Sequence, residues 1–523
     1  MDLTWPILLS GSFIIILSIR VLQIRYRHDL RKIPGPFLAS FSNIDRIWSC
    51  VREDQMNYHI SLHRKYGRLV RVGPNHVSIS GSNAIQQIYS ISTKFIKSDF
   101  YVSFDPKTPA GTIPTIFSVR DETIHKAIKR PVANAYSMST MRELEPMNDA
   151  CSEIFLRKLD GMVGTDVDLG KWLHWYAFDV ISSITFSNRL GFMEQEEDIG
   201  GIINAIEGRL VYCSVVGQAP WLHKYCLLGN PFVERLANRF IPAVAALGSS
   251  SMIVSFAAKQ LQRYQSKDPK ATETQLSDML DRFKRFKDGE QVMDYSRLLS
   301  HASGNIFAGS DTTAISLRAI FYYLCRTPSA HAKLLAEIDQ ADREGRLSDP
   351  VTFAEAQELK YFQAVVKEAL RMHPAVGFLL ERVVPRGGAE VGGTWLAGGT
   401  VVGINPWVVA RDKEAYGEDS EEFRPERWLT ASEQQLKAME KNNLAVRSVV
   451  ASCRDANCID ADVLTMLLSA VRRRRQDVYR EKHLTPGDVQ ASSAGPATIR
   501  FRTHASRPGM GVTRLLVRHA DRA

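Results

Sequence analysis

The first seventeen-residue block after the opening dipeptide, residues 3–19 (LTWPILLSGSFIIILSI), contains no charged side chain. At 1.5 Å per residue it would reach roughly 25 Å as a helix, the low end of a bilayer span. Arg20, Arg25, Arg27, Arg31 and Lys32 follow it, with Trp5 at the other end. Charge after the apolar block, rather than before it, predicts an uncleaved anchor with the body of the chain on the cytosolic side. Ile33-Pro34-Gly35-Pro36 then stops any helix and makes a stiff hinge. Beyond it, 55–66 reads as a short helix. Residues 69–80 read as two strands around the Gly73-Pro74-Asn75 turn. Apolar residues at three- and four-residue spacing predict helices in 141–160, 171–187, 231–262, 296–326 and 355–372. Strand-like pieces broken by glycine pairs return at 382–403. The expected class is a mainly α body with small β-sheets, an α+β arrangement.

Composition changes this picture only at the end of the chain. The 523 residues carry a net +9. Residues 447–523 hold fourteen Lys/Arg against seven Asp/Glu, so +7 of that charge lies in the tail. Only Tyr479 and Phe501 are aromatic there. Without aromatics to stack on bases, the tail does not read as a nucleic-acid binder. The seven cysteines are scattered and give neither a disulfide framework nor a zinc spacing.

Three short motifs carry chemistry. Ala308-Gly309-Ser310-Asp311-Thr312-Thr313 sits inside a helix-period stretch although glycine, serine and threonine are poor helix formers. Either a small ligand lies against that helix, with Asp311 and Thr312 as nearby proton donors, or the helix kinks there. Glu368 and Arg371, three apart, share a helix face and form either a surface pair or half of a cluster. Arg427, in the loop Phe423-Arg424-Pro425-Glu426-Arg427-Trp428, could complete a buried ionic cluster with them.

Taken in order and with the anchor and hinge, these motifs resemble the cytochrome P450 family over roughly residues 1–441. Asn405-Pro406-Trp407 and Arg411-Asp412 fit the same pattern. The segments at 97–101 (KSDFY), 117–138 and 190–201 look closest to fungal members similar to pisatin demethylase. The resemblance implies a haem b with a cysteine thiolate on its iron. It also implies O2 and electrons from NADPH through NADPH–cytochrome P450 reductase, and hydroxylation, epoxidation or demethylation of a small lipophile, as in fungal secondary metabolism. It implies an endoplasmic-reticulum membrane protein, single-pass, with a cytosolic catalytic domain.

Residue by residue, Thr312 matches the hydroxyl of the family's proton relay and Asp311 the acid that feeds it. Ala308 and Gly309 leave room for dioxygen. Arg382 matches an arginine that holds a haem propionate. His125 and Lys129 stand in the places of a Trp-x-x-x-Arg pattern with the same task, and both can donate to a carboxylate. Glu368, Arg371 and Arg427 match the family's structural cluster. Substrate contacts are expected from 98–119, 205–225 and 376–381, where Phe100, Ile116, Phe117, Phe378, Leu379 and Leu380 suit either a lipophilic pocket or a core.

The resemblance breaks near residue 442. Cys453 stands at the distance from Pro425 at which the family places its iron ligand, but the phenylalanine and glycines of that loop are missing. Those glycines let the backbone come close to the ligand sulfur. Cys458 is the alternative ligand. Four arginines occupy 472–475, and nothing in the tail resembles the family's closing strands. The expected organisation is an anchor at 1–22, a basic, proline-containing hinge at 23–36, a catalytic domain at 37–445 that is incomplete at the haem loop, and an atypical tail at 446–523. A haem-free, inactive membrane protein from a frameshifted or mis-spliced gene is the alternative function.

Overall fold

A computed structural model describes residues 30–444, apart from 91–92, 109–110, 163–164, 242–249, 267–276, 286 and 289–290. It also describes scattered positions between 12 and 26 and the stretches 499–503 and 515–519. The expected anchor falls mostly outside these residues; Ile15 and Ile19, which are described, are helical and exposed.

Among the described residues, the α-helices of eight residues or more run in this order. They are α1 (Ile44–Val51), α2 (Gln55–Tyr66), α3 (Ser82–Tyr89), α4 (Glu122–Lys129), α5 (Met138–Asp160), α6 (Leu169–Phe186) and α7 (Ile202–Val216). There follow α8 (Pro231–Phe240), α9 (Ser251–Gln265), α10 (Tyr295–Arg326), α11 (Pro328–Arg343), α12 (Lys360–Met372) and α13 (Glu433–Asn442). Among the described residues one stretch, Ile199–Val216, is long and apolar enough to cross a membrane, yet its Ile202 and Ile206 are fully buried in the main core.

The main core lies between α5, α6, α9, α10 and α12. It includes Phe155, Leu173, Phe178, Leu261, Ile306, Leu317 and Val365, all sealed from solvent. The 32-residue α10 runs through this core, its start capped by Asp294, which accepts from the Arg297 amide at 2.8 Å. A second core lies under a five-stranded sheet built from β1 (Leu69–Gly73), β2 (His76–Ile79), β3 (Ile96–Lys97), β4 (Arg382–Val383) and β5 (Val401–Gly403), in the order β1–β2–β5–β4–β3. Only the β2–β5 pairing is parallel, with Val77 opposite Val402.

Most expected elements are present with small boundary shifts. The helical period over 355–372 is broken at Leu359 into a short helix, Phe353–Glu358, and α12. The cause is local. The Glu337 carboxylate accepts from the Tyr361 and Phe362 amides at 2.8 Å each, satisfying the first turn of a fresh helix. The expected helix over 231–262 appears as α8 and α9. In the tail, Ile499–Thr503 and Leu515–His519 pair antiparallel, and the second strand joins Val167–Asp168.

Candidate functional site

The polar residues inside α10 are accommodated by bonding back to the helix. Ser310 Oγ donates to Ile306 O, Thr312 Oγ1 to Ala308 O and Ser316 Oγ to Thr312 O, each at 2.8 Å. No helix end or kink is needed. Gly309 also serves the packing of the helix. A Cβ there would lie 2.7 Å from Ile181 Cδ1, so the glycine lets α10 and α6 approach closely. Asp311 also faces α6: His174 Nε2 and Asp311 Oδ1 are 2.6 Å apart, and both residues are buried.

A cavity of about 270 Å³ opens against this part of α10. Ala308, Gly309, Asp311 and Thr312 line one wall, and Ile116, Phe117, Phe378 and Leu380 line others. Two expected pocket residues do not reach it. Phe100 is buried against Phe104 and Phe378, at ring distances of 5.4 and 4.9 Å. Leu379 turns into a separate small core with Leu62, Val70 and Val72, because alternate residues of an extended segment face opposite sides.

Basic side chains gather beside the sheet edge. Arg382 on β4 is the register partner of Lys97 on β3. Both cations sit over the Tyr101 ring at 5.7 Å, and Arg382 Nη1 donates to Tyr101 Oη at 3.2 Å. Lys97 Nζ donates to the Ile116 and Phe117 carbonyls at 2.7 and 2.8 Å. His125, on α4, has a buried Nε2 with no hydrogen-bond partner. Burial first, and then the Lys97 cation, push its pKa down to about 4. Lys129 lies one turn further along α4, half-buried, and its charge acts in the same direction on His125.

The third motif is a closed ionic cluster. Glu368 accepts from Arg371 Nη2 at 2.8 Å. It also accepts from Arg371 Nε, Arg427 Nε, the Arg424 amide and Trp428 Nε1, each at 2.9 Å. Arg371 also donates to the Ala410, Ser420 and Glu422 carbonyls, at 2.6, 2.7 and 3.0 Å. Arg427 reaches Asp419 Oδ1 at 2.9 Å. Glu368 and Arg371 are 0 % exposed. Burial alone would raise the Glu368 pKa, but the bonds and charges of Arg371 and Arg427 hold it below the ordinary range. The surface-pair reading of Glu368 and Arg371 is therefore excluded. The cluster ties α12 to the loop that leads toward the missing motif.

Sequence reasoning did not single out Lys97, Tyr101, His174 or Arg209, the last of which also lines the cavity. Lys97 and Tyr101 lie inside the quoted KSDFY segment, so position gave a signal there. Nothing in the sequence around His174 marks it as the partner of Asp311. Cys453 and Cys458 lie outside the described residues.

A long helix runs through a mainly α core, beside a cavity, a sheet with a cationic edge and a buried Glu–Arg–Arg cluster. Residues 33–443 match the cytochrome P450 family, and the chain belongs to that family. A cytochrome P450 monooxygenase of Aspergillus terreus is 39 % identical over 437 residues, covering 82 % of this chain and 86 % of the relative. Cytochrome P450 monooxygenase cicH of Emericella nidulans is 36 % identical, with 89 % and 92 % covered. Cytochrome P450 monooxygenase gsfF of Penicillium aethiopicum is 32 % identical, with 86 % and 88 % covered. By family the chain is an enzyme, a monooxygenase.

Membership implies a haem ligated by a cysteine thiolate. The donors present on the described side fit such a group. Arg382 and Lys97, paired across β3 and β4 and backed by Tyr101, and the unpartnered Nε2 of half-buried His125 are donors of the kind carboxylates require. The family match ends at residue 443, before either candidate sulfur ligand.

Proposed function

We propose that this chain is a haem-dependent monooxygenase that oxidises a small lipophilic metabolite, in fungal secondary metabolism, with O2 and NADPH-derived electrons. The observation that carries the proposal is the cavity that brings Ala308, Gly309, Asp311 and Thr312 of α10 against the apolar side chains of Ile116, Phe117, Phe378 and Leu380. When bound, the haem supplies the activation of dioxygen. The protein's part is to hold the group, exclude water and handle protons.

Arg382, His125 and Lys129 would hold the propionates, with Lys97 beside them, and Cys453, or Cys458 as its alternative, would supply the thiolate. Thr312 Oγ1 holds a proton at the cavity wall and Asp311 replenishes it, its carboxylate steadied by His174 at 2.6 Å. Ala308 keeps the wall shallow where dioxygen enters. The apolar block at 3–19 anchors the protein in the endoplasmic-reticulum membrane, and NADPH–cytochrome P450 reductase delivers the electrons. Exposed apolar side chains on α1 (Ile44, Trp48, Val51) and α8 (Phe232, Phe240) support contact with a membrane surface.

A reduced carbon-monoxide difference spectrum of the full chain tests the proposal. The long-wavelength band of thiolate-ligated haem is expected, and Cys453→Ser should abolish it while Cys458→Ser should not. The opposite pattern would move the ligand to Cys458. A folded chain that takes up no haem would overturn the function and leave the haem-free alternative.

A further inference from the structure

The cavity follows one face of α10. His301, Gly304, Ala308, Asp311 and Thr312 line it at three- and four-residue spacing. Eleven residues at 1.5 Å each put His301 roughly 16 Å from Thr312 along the helix. Asp311 and Thr312 stand at the end where the proton relay is proposed, and His301 stands at the other.

His301 is 5 % exposed, and its ring lies 5.4 Å from that of Phe283. Among the described residues neither of its ring nitrogens has a hydrogen-bond partner. The polar side chains nearest to it along α10 are engaged. Ser300 Oγ donates to Pro114 O at 3.1 Å, Ser303 Oγ to Leu299 O at 2.6 Å and Asn305 Nδ2 to Thr185 Oγ1 at 3.1 Å. Burial, and then the Arg297 charge, push the His301 pKa down to about 4, so the ring is neutral near pH 7. A neutral imidazole carries one donor and one acceptor. Leaving them unpaired in a buried wall is costly, and a ligand hydroxyl or carbonyl at that end of the cavity would pair one of them.

We propose that His301 is a specificity-determining residue that hydrogen-bonds one end of an elongated substrate whose other end reaches Thr312. The substrate class is thus a lipophile with an uncharged hydroxyl or carbonyl remote from the carbon that is oxidised. This rests on the cavity being the substrate site of the proposed monooxygenase. Ser300 and His301 also border an outer groove with Ile124, Ala127 and Arg297, so the test includes variants that belong to one place only.

The test needs neither haem nor electrons. Equilibrium dialysis of the detergent-solubilised full chain measures binding of 4-hydroxy-4′-propylbiphenyl and of its 4-methyl counterpart, with protein-free detergent as the blank. His301→Phe keeps a ring and removes both hydrogen-bonding atoms. It should weaken the hydroxyl probe about threefold to tenfold, the range of one net hydrogen bond between neutral groups, and leave the methyl probe unchanged. His301→Gln, which keeps a donor and an acceptor, should lose less. Ala308→Trp fills the cavity and should weaken both probes, whereas Ala127→Trp fills the groove and should change neither. His301→Leu is read in the same way should His301→Phe not fold. An equal response of the two probes to loss of the imidazole, as large a loss in His301→Gln, a loss in Ala127→Trp, or no binding of either probe overturns the proposal. A chain that passes this test but shows no thiolate-haem band would refute the oxygenase reading alone. A chain with that band whose probes ignore His301 would refute this proposal alone.

Discussion

Replacing Glu368 with Gln changes one oxygen for an amide nitrogen and leaves the shape of the side chain nearly intact. The present carboxylate receives five N–H donors at 2.8–2.9 Å. A glutamine can keep those on one oxygen, namely Arg371 Nη2, Arg427 Nε and the Arg424 amide. Its NH2 then faces Arg371 Nε and Trp428 Nε1, donor against donor. Two buried donors lose their acceptor, at about 1–3 kcal/mol each. Two guanidiniums also lose half of the counter-charge supplied by Glu368 and Asp419. Breaking a buried ion pair from one side costs about 3–5 kcal/mol, which sets the expected destabilisation.

Unfolding entropy of about 2.1 cal/mol/K per residue over a body of roughly 400 residues converts this to a fall of about 4–6 °C in melting midpoint. Far-ultraviolet circular dichroism on both proteins at pH 7 measures it. Trp428→Phe, which removes a single donor, should cost a clearly smaller part of the same shift. The pH dependence follows from the sign of the shift. Glu368 is held below its ordinary 4.5 in the folded protein, so its contribution is fully present above that value. It is lost as pH falls through the lower folded value, and only there should parent and variant converge. A Glu368→Gln variant that melts within a degree of the parent at pH 7 would refute the view that this cluster is a tightly satisfied charged unit.

Two further outcomes are expected. His174→Ala leaves the buried Asp311 without its 2.6 Å partner and should destabilise by about 1–3 kcal/mol, while His174→Ala combined with Asp311→Ala should recover part of the loss. Strict additivity in that double-mutant cycle, followed by thermal melting, would show that the two side chains do not act as a pair. Burial pushes His76, His223, His301 and His373 each down to about 4 from an ordinary 6.5. Between those values the unfolded chain binds protons that the folded one refuses, so stability should fall as pH drops from about 6.5 toward about 4. Melting midpoints that stay level across that window would contradict the buried, neutral state of these rings.

How much of this was legible in the sequence depended on how local the cause was. The α2 helix, the β1–β2 hairpin and α10 could be read because periodicity and turn residues act within a few positions. The Glu368–Arg371–Arg427 cluster was legible only through the order of its motifs, since its burial depends on carbonyls from Ala410, Ser420 and Glu422 that no pattern marks. Gly309 has a second role that the sequence did not show. A glycine in a helix signals a close approach, but only the packing shows that Ile181 is among the approaching atoms. His174, 137 positions before Asp311 in the chain, is invisible to any local reading. The break at Leu359 was missed for the same reason, because Glu337 on α11 sets it.

The two sides of the proposed haem site differ in what a count along the chain can establish. The basic cradle depends on strand register: Lys97 opposite Arg382 is fixed by the β3–β4 pairing, and Tyr101 then orients both cations. Such a site survives substitutions of neighbouring residues because the backbone ladder carries it. A thiolate on a loop has no ladder. Its position depends on glycines that let the backbone turn and approach closely, and Cys453 retains the distance from Pro425 without those neighbours. The distance alone therefore places a sulfur near the end of the family match without fixing where it points. The cradle can be complete while the ligand is not. Propionate donors without a thiolate would hold haem weakly and give a spectrum unlike that of the thiolate-bound form, so the band and its response to Cys453→Ser report on the loop separately from the rest of the scaffold.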